Sequence, residues 1–191
     1  RLLLFDIDGT LVRSGGAGKL AMESALAAAF GLAAVRDGVP YAGRTDRAIG
    51  HDLLTLHGID PCDAHRVKLQ DAYLAVLPES LSRVPGRILP GVPELLDGLR
   101  GGAVGLLTGN IRAGAEVKLR HFGLWDHFPF GGFGDHHTDR DDVARSALAV
   151  AESTFGRTFD DVWVIGDTPL DIACARAIGA KSLAVATGWH T

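Results

Sequence analysis

The chain has 191 residues, 47% of them hydrophobic and 22% charged, and a formal net charge of −4. That balance suits one soluble domain, or one domain with an insert, and excludes a basic nucleic-acid binder or a charge-driven disordered tail. No apolar stretch approaches the roughly 20 residues of a bilayer-crossing helix, Cys62 and Cys174 match no metal spacing and read as reduced thiols of a cytoplasmic protein, and with Arg1 directly ahead of the first apolar run no signal peptide is expected.

The first predicted element is Leu2-Leu3-Leu4-Phe5, which runs into Asp6, Ile7, Asp8, Gly9 and Thr10. A continuous apolar run ending in a glycine turn reads as a buried, parallel-type strand. Two carboxylates have no ordinary use there, because desolvating an unpaired charge is costly. Ligands, however, bind at the carboxyl ends of strands in open α/β sheets, so Asp6 and Asp8 read as a site. One carboxylate can attack phosphorus and form an aspartyl-phosphate. A second can protonate the leaving group and later take a proton from water. Crowded acids repel each other, and a hard cation such as Mg2+ relieves that repulsion. A solvated Asp-x-Asp-Gly turn is the plain alternative; a calcium loop is disfavoured by Leu11, Val12 and Arg13 at the later ligand positions.

Residues 14–85 read as helical: 19–30, Ala-rich and closed by Gly31; 47–57, capped by Thr45 or Asp46; and 64–77, ending before Pro78. A block this long exceeds a normal connection and is expected to be an inserted helical subdomain. Gly15-Gly16-Ala17-Gly18-Lys19 fails as a phosphate loop, with Arg13 and Leu20 at decisive positions, and reads as a hinge. Arg44 either reaches the far end of a substrate or simply belongs to a helix-start turn.

From residue 86 onward helices at 92–99, 113–122, 143–155 and 170–178 alternate with strands at 103–107, 161–165 and 182–186, and a short strand is expected within 128–134. The alternation predicts an α/β fold, a Rossmann-like parallel sheet covered on both faces, formed by 1–13 and 86–191 around the inserted helical cap 14–85. Parallel strands bring Asp6/Asp8, Thr108 and Asp167 to one edge. Thr108-Gly109-Asn110 can hold phosphate oxygens or merely turn and cap a helix. Asp167 and Asp171 suit a hard cation, and they equally suit capping around Pro169; both can hold together. His136 and His137 read as solvated, and Trp125, Trp163 and Trp189 as packing.

These motifs, in this order and spacing, resemble the haloacid dehalogenase superfamily of phosphohydrolases. Asp6-Ile7-Asp8-Gly9-Thr10 is similar to its first motif, Thr108-Gly109-Asn110 to its second, and Gly166-Asp167-Thr168-Pro169-Leu170-Asp171 to its fourth. The helical insert resembles the C1 cap of phosphoglycolate phosphatase-like members. The resemblance implies Asp6 as nucleophile and Mg2+ ligand, and Asp8 as general acid and base with its backbone carbonyl on Mg2+. It further implies Asp167 as a metal ligand, Asp171 orienting metal-bound water, and Thr108, Gly109 and Asn110 around the phosphate. The third motif departs from the family's usual Lys-Pro: Arg140 stands there, either neutralising Asp6 and phosphate or pairing with its acidic neighbours.

The expected activity is Mg2+-dependent hydrolysis of a small organic phosphomonoester through an aspartyl-phosphate. The alternatives are a sugar-phosphate mutase of the same fold or a weakly active binding member. Asp8 argues against a dehalogenase. Lys19 and Lys68 are the only cap lysines for a phosphonatase Schiff base, and both read as solvated helix residues. No nucleic acid or membrane partner is expected; a monomer is the default, with a dimer left open.

Overall fold

The computed structural model describes residues 1–188; Trp189 lies outside them. Five strands form a parallel sheet, β1 (Leu2–Phe5), β4 (Ala103–Leu107), β5 (Gly131–Gly132), β6 (Val162–Gly166) and β7 (Lys181–Ala184), in the order β5-β4-β1-β6-β7. β1 is central, and side chains alternate along it. Leu2 and Leu4 pack with Val162, Val164 and Leu107 beneath α6 (Arg140–Phe155) and α7 (Pro169–Ala177). Phe5 packs on the opposite face with Val104, Leu106 and Ile165, against α4 (Val92–Gly98) and α5 (Arg112–His121). Both faces are therefore covered, which explains why β1 carries no polar residue until its end. Leu4 is fully buried, and truncating such a residue to Ala costs about 2–5 kcal/mol.

Between β1 and β4 lies a second apolar core, built by α1 (Ala17–Phe30), α2 (Asp46–Leu56) and α3 (Asp63–Arg83), with Leu26, Leu53, Leu54, Tyr73 and Leu77 at its centre. The chain enters and leaves these helices through a two-stranded antiparallel ribbon, β2 (Val12–Arg13) and β3 (Arg87–Ile88). The ribbon has two residues a side, too few for period-2 alternation to show in the sequence.

Two expectations fail locally. The third helix does not stop before Pro78 but continues to Arg83. Proline removes one helical hydrogen bond, yet Ser80 and Leu81 beyond it are buried, and that packing outweighs the loss. The helix expected at 143–155 begins at Arg140, because the Asp139 side chain accepts the Asp141 N–H and two further aspartates favour its N-terminus. Thr45, whose side chain accepts the Ala48 N–H, caps α2. Trp125 and Trp163 pack against the sheet core as expected.

Candidate active site

The carboxyl ends of β1, β4 and β6 converge on a cavity of about 970 Å³ whose far wall is formed by α1, α2 and the 39–44 loop. Asp6, Asp8, Asn110, Arg140 and Asp167 all line it, so residues from four distant stretches of the sequence meet. After β1 the chain turns sharply at Gly9, with φ +88°. A side chain at Gly9 would collide with the Asp167 carboxylate, so glycine is required both by conformation and by the approach of β6's end.

At one end of the cavity Asp6, Asp167 and Asp171 are buried, with a carboxylate oxygen of each within 4.8 Å of the others. Arg140, also buried, donates to Asp6 Oδ1 at 3.3 Å and to Asp171 Oδ1. Burial, then the charge of Asp171, pushes the Asp6 carboxyl up to about 8 against the pull of Arg140; Asp8 and Asp167 add to the rise. Asp167 is raised by the same causes, burial first and then Asp171. Asp171 is fully engaged: its Oδ2 accepts from the Thr168 N–H at 3.0 Å and hydroxyl at 2.6 Å, closing the capping box of α7, while Oδ1 serves Arg140. Among the described residues, Asp6 and Asp167 each accept a side-chain hydrogen bond at Oδ1 only, from Arg140 and Thr10 respectively. A second oxygen on each, within a buried group of three carboxylates, fits a hard divalent cation. Among the described residues the buried Arg140 Nε has no hydrogen-bond partner.

Asp8 belongs to a different cluster. Ser14 Oγ donates to its Oδ1 at 3.2 Å; Asn110 Nδ2 and Lys118 Nζ donate to its Oδ2 at 3.0 and 2.7 Å. Burial opposes ionisation, but the Lys118 ammonium, with Asn110 and Ser14, outweighs it and holds the Asp8 carboxyl below its ordinary value. Lys118 also donates to Asn110 Oδ1 at 2.6 Å, and its pKa is raised by Asp8 despite burial. Thr108 is fully buried, and its hydroxyl accepts from Asn110 Nδ2 at 2.8 Å; its neighbours Gly109 and Asn110, not Thr108, line the cavity.

The helical insert sits hard against the core. The Asp46 N–H donates to the Gly109 carbonyl at 2.8 Å, the Ile111 N–H donates to Asp46 Oδ2 at 2.9 Å, and the Thr45 hydroxyl donates to the Thr138 carbonyl at 3.2 Å. Any side chain at Gly109 would strike the Arg44 carbonyl. Burial, opposed by Lys118 and the Ile111 N–H, leaves Asp46 raised to about 6. Arg44 lines the cavity but is tied to Asp52 at 2.7 Å and to the Pro40 carbonyl at 3.2 Å. Among the described residues His136 and His137 join no metal-ligand cluster.

Sequence reasoning missed Lys118, Ser14 and the place of Asp46 in the cavity. Lys118 did leave a signal: it shares the buried face of α5 with Gly114, Ala115 and Leu119. A lysine on an apolar helical stripe needs a buried partner.

Residues 3–176 match the family of haloacid dehalogenase-like hydrolases. The chain belongs to that family. Across its whole length this hydrolase is 29% identical to a protein described as probable phosphatase IndB of Dickeya dadantii (strain 3937), covering 83% of that protein. Its fold resembles the solved structure of a predicted phosphoglycolate phosphatase from Haemophilus somnus 129PT, with TM-score 0.72, 18% identity, and coverage of 99% of this chain and 86% of the other. It also resembles CbbY from Rhodobacter sphaeroides in complex with phosphate, with TM-score 0.73, 17% identity, and coverage of 100% and 88%. A predicted phosphatase from Clostridium acetobutylicum gives TM-score 0.73 at 20% identity, covering 100% and 87%.

Proposed function

We propose that this hydrolase is a Mg2+-dependent phosphatase that cleaves a small organic phosphomonoester through an aspartyl-phosphate, with residues 14–85 acting as the cap that receives the alcohol. The enzyme is a phosphatase of the haloacid dehalogenase-like family, as is consistent with its named relative. The observation that carries the detailed chemistry is the division of the site into two clusters around Asp6 and Asp8.

Asp6 attacks phosphorus in line through one carboxylate oxygen, the other being left to the cation site. Arg140 neutralises the carboxylate and the incoming phosphate. Gly109 and Asn110, which line the cavity after β4, complete the phosphate cradle, and the buried Thr108 hydroxyl positions Asn110 by accepting from its N–H and Nδ2. Asp6, Asp167 and the Asp8 backbone carbonyl would hold Mg2+, which when bound supplies positive charge to the transferring phosphoryl group. Asp171, with both oxygens committed, holds Arg140 in register.

Asp8 protonates the leaving alcohol and then accepts a proton from the water that hydrolyses the aspartyl-phosphate. Lys118 favours the ionised form needed for the second step, and the charge of an arriving phosphate beside Asp8 favours the protonated form needed for the first. Arg44, its charge balanced by Asp52, offers N–H groups to the far end of the substrate.

A panel of phosphomonoesters, phosphoglycolate included, assayed with Mg2+ and with EDTA tests this function. Phosphate release that EDTA abolishes is expected. A folded, Mg2+-binding protein that hydrolyses no ester would refute it.

A further inference from the structure

Lys118 is more than a partner for Asp8. Its side chain is 5% exposed and lines the cavity, yet among the described residues two of its three N–H groups are used, on Asp8 and Asn110. The insert helix α1 presents Gly18 to it: a Cβ there would sit 3.1 Å from Nζ, so the ammonium is left open toward the insert side of the cavity. Two further groups border the same region. Asp46 spends Oδ2 on the Ile111 N–H and among the described residues has no donor on Oδ1. Tyr73, from α3, places its hydroxyl against the cavity with no hydrogen bond among the described residues. Asp8, Asp46 and Tyr73 line the same cavity as Lys118.

This arrangement holds an unused donor, an unused acceptor and a phenol beside the acid that meets the leaving oxygen. An apolar alcohol would leave all three unpaired, and a site built to pair polar groups rejects an analogue that lacks them. A carboxylate on the substrate would add a third negative charge beside Asp8 and Asp46, with the Lys118 charge already matched. Of the other cavity cations, Arg44 is paired with Asp52, Lys19 with Glu23 and Asp37, and Arg140 with Asp6 and Asp171, while Arg13 is spent as a donor on the Thr187 and Gly188 carbonyls. A hydroxyl meets every demand, since it accepts from Lys118 and donates to Asp46.

We infer that Lys118, Asp46 and Tyr73 form a hydroxyl-binding subsite for the leaving group, so that the substrate is the phosphomonoester of a polyol or sugar with a hydroxyl on the carbon next to the ester carbon. The inference rests on the phosphatase function proposed above. Its test compares kcat/KM for glycerol 1-phosphate, propyl phosphate and phosphoglycolate in the Mg2+-loaded full chain, with 4-nitrophenyl phosphate as a reference ester. The wild type should prefer glycerol 1-phosphate over propyl phosphate by about 100-fold or more. Lys118→Met and Asp46→Asn should each compress that ratio at least about tenfold, and Tyr73→Phe, which leaves the Asp8 contacts in place, should compress it several-fold. If Lys118 only positions Asp8, Lys118→Met will slow both esters equally, and the unchanged ratio overturns the assignment. A wild-type ratio near one, or a preference for phosphoglycolate, overturns it as well. Should Lys118→Met not fold, the Asp46→Asn and Tyr73→Phe ratios decide alone. Hydrolysis of 4-nitrophenyl phosphate without a hydroxyl preference refutes the subsite only, whereas no hydrolysis of any ester refutes the phosphatase function and the subsite with it.

Discussion

Asp6 and Asp8 stand two residues apart on one turn and are held in opposite states. Asp6 is buried among carboxylates and prefers its proton, while Asp8, clamped by Lys118, Asn110 and Ser14, prefers to lose it. Identical side chains at nearly the same place thus acquire different chemistry from their neighbours. The acid-rich end sets three carboxylates against the single charge of Arg140, whereas at the other end the Lys118 ammonium meets Asp8 directly.

The contrast breaks most severely at Asp6. Asp6→Asn keeps the shape, removes a charge from the crowd, and should leave the fold intact by circular dichroism while lowering kcat by about 10⁴-fold or more, because a covalent step is lost. Wild-type turnover in that variant would remove Asp6 from the nucleophile's role. Next in size is Arg140. Arg140→Met should cost about 10²–10³ in kcat, the usual loss when one charge-stabilising donor is removed, and Arg140→Lys should recover part of it. Equal activity in both variants would show that Arg140 serves only the fold.

Much of this was legible in the sequence, for a physical reason. Leu2 to Phe5, Ala103 to Leu107 and Val162 to Gly166 are central strands buried on both faces, so each is a continuous apolar run that ends where its polar residues begin. That pattern pointed Asp6, Asp8 and Asp167 to one sheet edge, and they line one cavity with Arg140. The ribbon β2–β3 was too short to show periodicity, and Pro78 looked like a helix end because burial beyond it is a tertiary effect. Ser14, Asp46 and Lys118 were harder still. Their importance lies in contacts such as Lys118 to Asp8, 110 residues apart in the chain, which local spacing does not encode. Proximity brings these side chains together, and substitution with assay, residue by residue, decides the role of each.

A third prediction uses pH to separate the two ends. Between the ordinary value of 3.8 and about 8, the folded, metal-free protein keeps a proton on Asp6 that the unfolded chain has released. That stability is complete below pH 3.8 and is lost as pH rises through about 8. Asp8 has the opposite sign: its contribution is present above 3.8 and is lost as pH falls through its lowered value. The metal-free protein should therefore lose Tm from about pH 5 to about pH 8, and saturating Mg2+ should raise Tm more at the upper end of that range than at the lower, since the cation replaces the proton. An equal gain at both pH values would contradict the metal-binding role of Asp6.

The smallest expected effect is at Thr168, which caps α7 and fixes Asp171. Thr168→Ala should cost about 1 kcal/mol by denaturant unfolding. It should also lower kcat several-fold through the Asp6 end, with no change in discrimination among alcohols. A shift in alcohol preference would mean that the two ends are coupled rather than separate.

The division of labour is tested most directly by locating the phosphoryl group itself. Substrate, Mg2+ and enzyme are mixed, quenched in acid before the first turnover is complete, reduced with borohydride, and the peptide that contains residues 6 and 8 is sequenced by mass spectrometry. Homoserine at position 6 is the predicted product of a trapped aspartyl-phosphate. Homoserine at position 8, or phosphate release with neither aspartate modified, would contradict the account.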